Sequence, residues 1–193
     1  MSDDTSGIYK SIIAVTNRSL CDHPFSEQIE RVCRVHPQNI ILREKDLDDT
    51  EYERLALNVS DICKMYNVPL TLHMHEHAAL KIGARRIHFS MSGLRSSDNI
   101  LRFETVGASV HSEEEAIEAE KLGASYITAG HIYATDCKMG MEPRGLDFLK
   151  RICRSVKIPV YAIGGIKINS KQIEEVVSCG AAGACVMSAM MTL

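Results

Sequence analysis

Between Gly130 and Gly140 the chain places His131, Thr135, Asp136, Cys137 and Lys138 on one stretch. An imidazole there can move protons near neutral pH, while the hydroxyl, carboxylate and ammonium orient a polar substrate. A thiol nucleophile at Cys137 is a weaker reading, because nothing else in the sequence asks for covalent chemistry. Leu42-Arg43-Glu44-Lys45-Asp46 alternates charges directly after an apolar run. Charges at the end of a buried strand must meet each other or a ligand, and Arg43 can fork onto a carboxylate or phosphate. Ile163-Gly164-Gly165-Ile166 and Val186-Met187-Ser188-Ala189 each close an apolar run. Paired glycines let backbone N–H groups approach an anion, although a tight turn needing positive φ uses the same residues. Gly164, Gly165, Ser188 and Ala189 are therefore expected to hold a phosphate.

His73-Met74-His75-Glu76-His77 raises the question of a metal, since alternating histidines at a strand end can ligate one. A metal centre needs further ligands from other strands. His88 and His111 are the candidates, but no Asp ends the eighth apolar run, so no metal is expected. His73 is expected to line the pocket. His75 and His77 read as surface or helix-start residues, and their role stays open.

Positioning these groups falls to a repeated unit. Short β-branched runs recur at Ile12–Thr16, Asn39–Arg43, Leu70–Met74, Arg86–Ser90, Val106–Val110, Tyr126–Gly130, Val160–Gly164 and Ala184–Ser188. Most are continuously apolar, as strands buried on both faces require. Helical spacing fills the gaps: Ile29, Val32 and Cys33 within Phe25–Val35, and Leu55, Val59, Ile62 and Cys63 within Thr50–Tyr66. Ser112 followed by Glu115 is a capping-box spacing, and Gly123 stops that helix. The pattern predicts a single (β/α)8 TIM barrel over residues 1–193, with short helices after strands three and four and a truncated last helix. Every site segment above then falls at the C-terminal ends of strands, where such barrels build their sites.

Bulk properties narrow the partners. The net charge of -3 argues against a nucleic-acid binder. No apolar run reaches the roughly 20 residues of a membrane-spanning helix. The polar, acidic start lacks the features of a signal peptide, so a cytoplasmic location is the default. Seven scattered cysteines with no C-x-x-C pair read as reduced and mostly buried. The expected partner is a small phosphorylated metabolite, with no nucleic acid and no membrane. The apolar Met187–Leu193 tail leaves a homodimer and a monomer equally open.

With these motifs in order, the sequence resembles the thiamine-phosphate synthase superfamily. The resemblance rests on Leu42–Asp46, Ser109-Val110-His111-Ser112, Ala162–Ile166 and Val186–Ala189, and it covers nearly the whole chain. The synthase branch joins a hydroxymethylpyrimidine pyrophosphate to a thiazole phosphate. It holds magnesium with an Asn-Asp pair after strand three and an Asp after strand four. Here His73-Met74 and Gly93 stand at those positions. The TenI-type thiazole tautomerases carry a loop that resembles Gly130 to Gly140, followed by Arg144-Gly145. That likeness implies metal-free and cofactor-free aromatisation of a carboxythiazole phosphate, an isomerase reaction in which His131 is catalytic. It implies phosphate contacts from Gly164, Gly165, Ser188 and Ala189. Substrate contacts would come from Arg43, Lys45, His73, Ser109, Thr135 and Lys138. The alternatives are the synthase reaction itself and a non-catalytic binder of thiazole or thiamine phosphates.

Overall fold

Eight parallel strands pair in sequence order and close on themselves: β1 (Ile12–Val15), β2 (Asn39–Leu42), β3 (Leu70–His73), β4 (Arg86–Ser90), β5 (Thr105–Val110), β6 (Tyr126–Gly130), β7 (Val160–Ile163) and β8 (Gly183–Val186). The closing pair sets Ile13 beside Cys185 and Ala14 beside Val186. This computed structural model describes residues 6–135 and 140–193. A one-turn helix, α1 (Ser6–Tyr9), precedes the first strand. The others follow successive strands: α2 (Phe25–Arg34), α3 (Asp49–Met65), α4 (Glu76–Lys81), α5 (Met91–Ser96), α6 (Glu113–Lys121), α7 (Gly145–Ser155), α8 (Ser170–Ser178) and α9 (Ser188–Met191). None is long and apolar enough to cross a membrane.

Strand alternation divides the apolar residues into two cores. Ile12 and Ala14 face the helices and join the large outer cluster, while Ile13 and Val15 face inward. The inner cluster also holds Ile41, Tyr126, Tyr161 and Cys185. Alternate side chains of a strand point to opposite faces, so one strand serves both cores. On the outside, α2 buries Ile29, Val32 and Cys33 along one stripe. Full burial of such a side chain contributes about 1.5–3 kcal/mol for the larger aliphatics. Asp48 and Glu51 form a reciprocal capping box at the start of α3. Ser112 caps α6 through Glu115 N, but the Glu115 carboxylate accepts from His111 N at 2.6 Å rather than from the cap residue.

Several strands stop short of their apolar runs. Thr16, Arg43, Met74 and Gly164 lie just beyond the ladders rather than within them. Met74 and Gly164 take φ values of +66° and +99°, which no strand continues. β8 begins at Gly183 and ends at Val186, two residues before the expected end. The short α4 and α5 match expectation at six residues each. The last helix is one turn, and its Met190 and Met191 are 0% exposed, packed within this chain. The apolar tail therefore supplies no exposed methionine face for a second copy.

Candidate active site

The mouth is built from eight strand ends, and its β2 side is a sorted set of charges. Glu44 is 2% exposed. The Thr16 hydroxyl donates to its Oε1 at 2.6 Å, and Arg18 N donates to both carboxylate oxygens at 3.1 Å. The Arg18 guanidinium donates to Glu44 at 3.1 Å and to both Asp46 oxygens at 2.7 and 2.5 Å. Arg43 N donates to Thr16 Oγ1 at 2.9 Å, tying β2 to β1 above their ladder. The half-buried Arg43 side chain makes no hydrogen bond or ion pair among the described residues. Lys45 is exposed beside it.

From β3 to β6 the interior carries a hydrogen-bonded histidine. His88 is 2% exposed, with Nδ1 3.0 Å from Tyr126 Oη and Nε2 2.9 Å from Ser109 Oγ. Thr128 donates to the same Ser109 oxygen at 3.1 Å. A neutral imidazole offers one donor and one acceptor, which two hydroxyls satisfy in either tautomer. Burial pushes the His88 pKa down to about 3, so the ring is neutral at ordinary pH. His73 stacks on it with ring centroids 5.9 Å apart. The His73 pKa is also lowered to about 3, first by burial, then by His88, Arg43, Lys45 and His75. The cations of the β2 end thus act on the β3 end. Gly107 makes this arrangement fit, because a Cβ there would stand 2.3 Å from both His88 Nδ1 and Tyr126 Cζ.

The β6–β8 side is made of backbone. Ile132 N donates to Ile163 O and Tyr133 N to Gly164 O, each at 3.0 Å. The β6 loop therefore lies directly on the β7 loop. A Cβ on Gly164 would stand 2.3 Å from His131 Cβ, and one on Gly165 would stand 2.3 Å from Ala134 O. Both glycines have positive φ, at +99° and +69°. Space and conformation together exclude a side chain there. The N–H groups of Gly165, Ser188 and Ala189 donate to nothing among the described residues. Tyr133 fastens the loop to α8 by donating to Glu175 at 2.7 Å.

His131 is 3% exposed beneath this loop. Its Nε2 lies 3.3 Å from Met141 O, and its buried Nδ1 has no partner among the described residues. A carbonyl accepts only, so Nε2 carries the proton in the neutral ring and Nδ1 presents a lone pair. Thr135 is partly exposed at the loop's edge. Asp136, Cys137 and Lys138 lie outside the described residues. His75 precedes α4 without a side-chain cap bond, stacks on Tyr52 at 3.9 Å and meets Asp49 at 2.6 Å, while His77 is exposed.

The magnesium ligands of the synthase motif have no counterpart in this donor set. Met74 packs with the outer core, its Sδ accepting from Ser90 N at 3.1 Å. Gly93 lies against it, since a Cβ there would stand 2.9 Å from Met74 Cε. Among the described residues no group of three or more His, Cys, Asp or Glu is arranged to hold a metal. Two cavities, of about 460 and 370 Å³, open on the outer floor side of the barrel. The first touches Ser97 and Leu122 and the second Cys63 and Arg85. Neither reaches the strand ends that carry the residues above, and parallel barrels place chemistry at those ends.

Of the residues expected from the sequence, Arg43, Lys45, His73, Ser109, His131 and both glycines lie at one rim. Thr16, Arg18, Tyr126 and Thr128, which bond to those residues or their neighbours, were not anticipated. Polar residues at every second position of β4 and β6 were the available signal for the interior network. Nothing in the sequence links Arg18 to Glu44.

Fold and rim together define a (β/α)8 barrel of the TIM type. Residues 12–190 match the family described as thiamine monophosphate synthase, and the chain belongs to that family. A thiamine-phosphate synthase of Clostridium acetobutylicum is 32% identical over 187 residues, covering 95% of this chain and 88% of that protein. One of Caldanaerobacter subterraneus is 34% identical, covering 84% and 78%. The solved thiamine phosphate pyrophosphorylase of Pyrococcus furiosus superposes with a TM-score of 0.79 at 29% identity, over 95% of this chain and 88% of that one. An N-acetylmannosamine-6-phosphate 2-epimerase of Clostridium perfringens shares the fold at 15% identity and a TM-score of 0.64.

These likenesses correct the tautomerase expectation. It leaned on the loop from Gly130 to Gly140 with Arg144-Gly145, and on His73-Met74 and Gly93 at the magnesium positions. The relatives that match along most of the chain are named thiamine-phosphate synthase, and the solved one thiamine phosphate pyrophosphorylase. The isomerase reaction, and with it proton transfer by His131 to a thiazole carbon, is withdrawn.

Proposed function

We propose that this protein is a transferase of thiamine phosphate assembly, joining a pyrimidine that carries a pyrophosphate to a phosphorylated thiazole. The observation that carries this reading is the whole-chain likeness to proteins named thiamine-phosphate synthase. The rim supports it. It offers two separate anion-holding sectors, the β2 cations and the β7–β8 backbone, and a coupling reaction brings two phosphate-bearing substrates. Gly165, Ser188 and Ala189 donate backbone N–H groups to the thiazole phosphate, with Gly164 allowing the close approach. Arg43 and Lys45 meet the pyrophosphate, with Thr135 at the edge of the pocket. His73 and Ser109 line the space between, and His131 Nδ1 accepts a hydrogen bond.

In the coupling, the thiazole nitrogen forms a bond to the pyrimidine methylene carbon. The bond from that carbon to pyrophosphate breaks, and pyrophosphate leaves with the electron pair. No proton is exchanged, so the step asks for charge neutralisation and alignment rather than an acid or base.

The test is to supply both substrates and follow thiamine phosphate as its fluorescent oxidation product, with magnesium added and with magnesium chelated. Product formation that an Arg43→Ala variant loses supports the proposal. Absence of product under both conditions sinks it. Binding of either substrate without turnover would indicate the non-catalytic binder instead.

A further inference from the structure

Two free thiols meet on the outer ring of the barrel, away from the rim. Cys33 lies on the buried stripe of α2 and Cys63 on that of α3, each in the last turn of its helix. The two helices pack against each other and run in the same direction, as all helices of this fold do. Residues at one level of neighbouring helices face each other, and here the two thiols share a hydrogen bond. Sharing a proton eases the first ionisation of the pair, at Cys33, and hinders the second, at Cys63, which burial opposes as well. Although Cys63 is only 2% exposed, it lines the floor cavity of about 370 Å³. Ser60, Lys64, Arg85 and Arg86 line the same cavity. A space of that size with polar walls admits water and small polar molecules.

We propose that Cys33 and Cys63 form an oxidative modification site: a peroxide entering the floor cavity converts the pair to a disulfide that joins α2 to α3. The Cys33 sulfur attacks one peroxide oxygen and the O–O bond breaks. Cys33 becomes a sulfenic acid, and the departing oxygen leaves as water with the thiol proton. The Cys63 sulfur then attacks the Cys33 sulfur. The S–S bond forms, the S–O bond breaks, and a second water leaves with the Cys63 proton. Two thiols together give up two electrons and two protons, and one peroxide is reduced to two waters. The bond closes a chain loop that contains β2 with Arg43 and Glu44 beyond it. Closing a loop of that kind removes freedom from the unfolded chain and favours the folded one. The site is independent of the coupling reaction proposed above.

The experiment treats the reduced full chain with increasing hydrogen peroxide, then unfolds it in iodoacetamide, digests it and maps the peptides by mass. The expected result is a peptide that joins Cys33 to Cys63 and separates on reduction, with loss of alkylation at both positions. Cys185, equally buried but inside the barrel, should still be alkylated at that dose. Cys63→Ser keeps a hydrogen-bond donor beside Cys33 and removes the second sulfur. In this variant the joined peptide should vanish, and dimedone should label Cys33 as a sulfenic acid. Where the variant does not fold, the peptide map of the parent decides alone. Three results would overturn the proposal. One is Cys33 and Cys63 still alkylated at a dose that oxidises the partly exposed Cys21. The others are a pair that reacts no sooner than Cys185, and an unlabelled Cys33 in folded Cys63→Ser.

Discussion

Two sectors of one rim are built on opposite principles. The β7–β8 sector is backbone: glycines with positive φ, N–H groups and a neighbouring loop laid directly on top. The β2 sector is side chain: a guanidinium, two carboxylates, a hydroxyl and two further cations. A backbone cradle tolerates no change of shape but is indifferent to the charges around it. A charged sector tolerates changes of shape but depends on how each charge is partnered.

The sharpest way to break the comparison is Gly164→Val. A β-branched side chain at φ +99°, with its Cβ 2.3 Å from His131 Cβ, is expected to cost at least about 4 kcal/mol. Chemical denaturation measures this, and a loss under about 1 kcal/mol would show that the cradle is not shape-limited.

Acid should come next. His73 and His88 have folded pKa values lowered to about 3 from an ordinary 6.5. A base depressed on folding binds its proton more readily in the unfolded chain, so stability is full above pH 6.5 and falls as pH drops toward 3. Each ring contributes about 1.4 kcal/mol per pH unit in that window, or about 2 kcal/mol each by pH 5. A melting temperature that stays flat between pH 7 and pH 5 would contradict the neutral interior.

Glu44→Ala tests the charged sector. It leaves the buried Thr16 hydroxyl and Arg18 N without their acceptor and is expected to cost about 2 kcal/mol, since Arg18 is partly exposed and can be rehydrated. A stability equal to the parent's would mean that the network is not holding the loops. The mildest change is Tyr133→Phe, which removes the hydroxyl on Glu175 and should cost about 1 kcal/mol. Its more telling readout is faster hydrogen exchange in the β6 loop, which should not change if that anchor is idle.

The two sectors also differ in how far the sequence disclosed them. Gly164-Gly165 and Ser188-Ala189 announce themselves, because glycine pairs and strand ends are local features with local causes. All eight strands were legible for the same reason, and their ends were missed where Met74 and Gly164 turn out of the ladder at positive φ. Arg43 and Lys45 were visible as charges, but their partners were not. The link from Arg18 to Glu44 joins residues 26 positions apart through tertiary closure of β1 on β2. The interior set of His88, Ser109, Thr128 and Tyr126 is likewise assembled from three strands and depends on the space at Gly107. The loop that resembled a tautomerase shows the converse hazard, a local motif outweighing the likeness of the whole chain.

The packing of Met74 on Gly93 also imposes an order on mutation. A carboxylate introduced first at position 93 would drive its Cβ to 2.9 Å from the Met74 methyl, whereas one introduced first at position 74 vacates that space. Of the two single-step routes to a magnesium-type acid pair, the one through position 74 first removes the nearest contact, while Phe89 Cδ1 stays 3.2 Å from a Cβ at position 93 in either order. Directed evolution toward a metal-dependent barrel would therefore find the two orders unequal, the path through position 74 being the roomier one in this corner of the molecule.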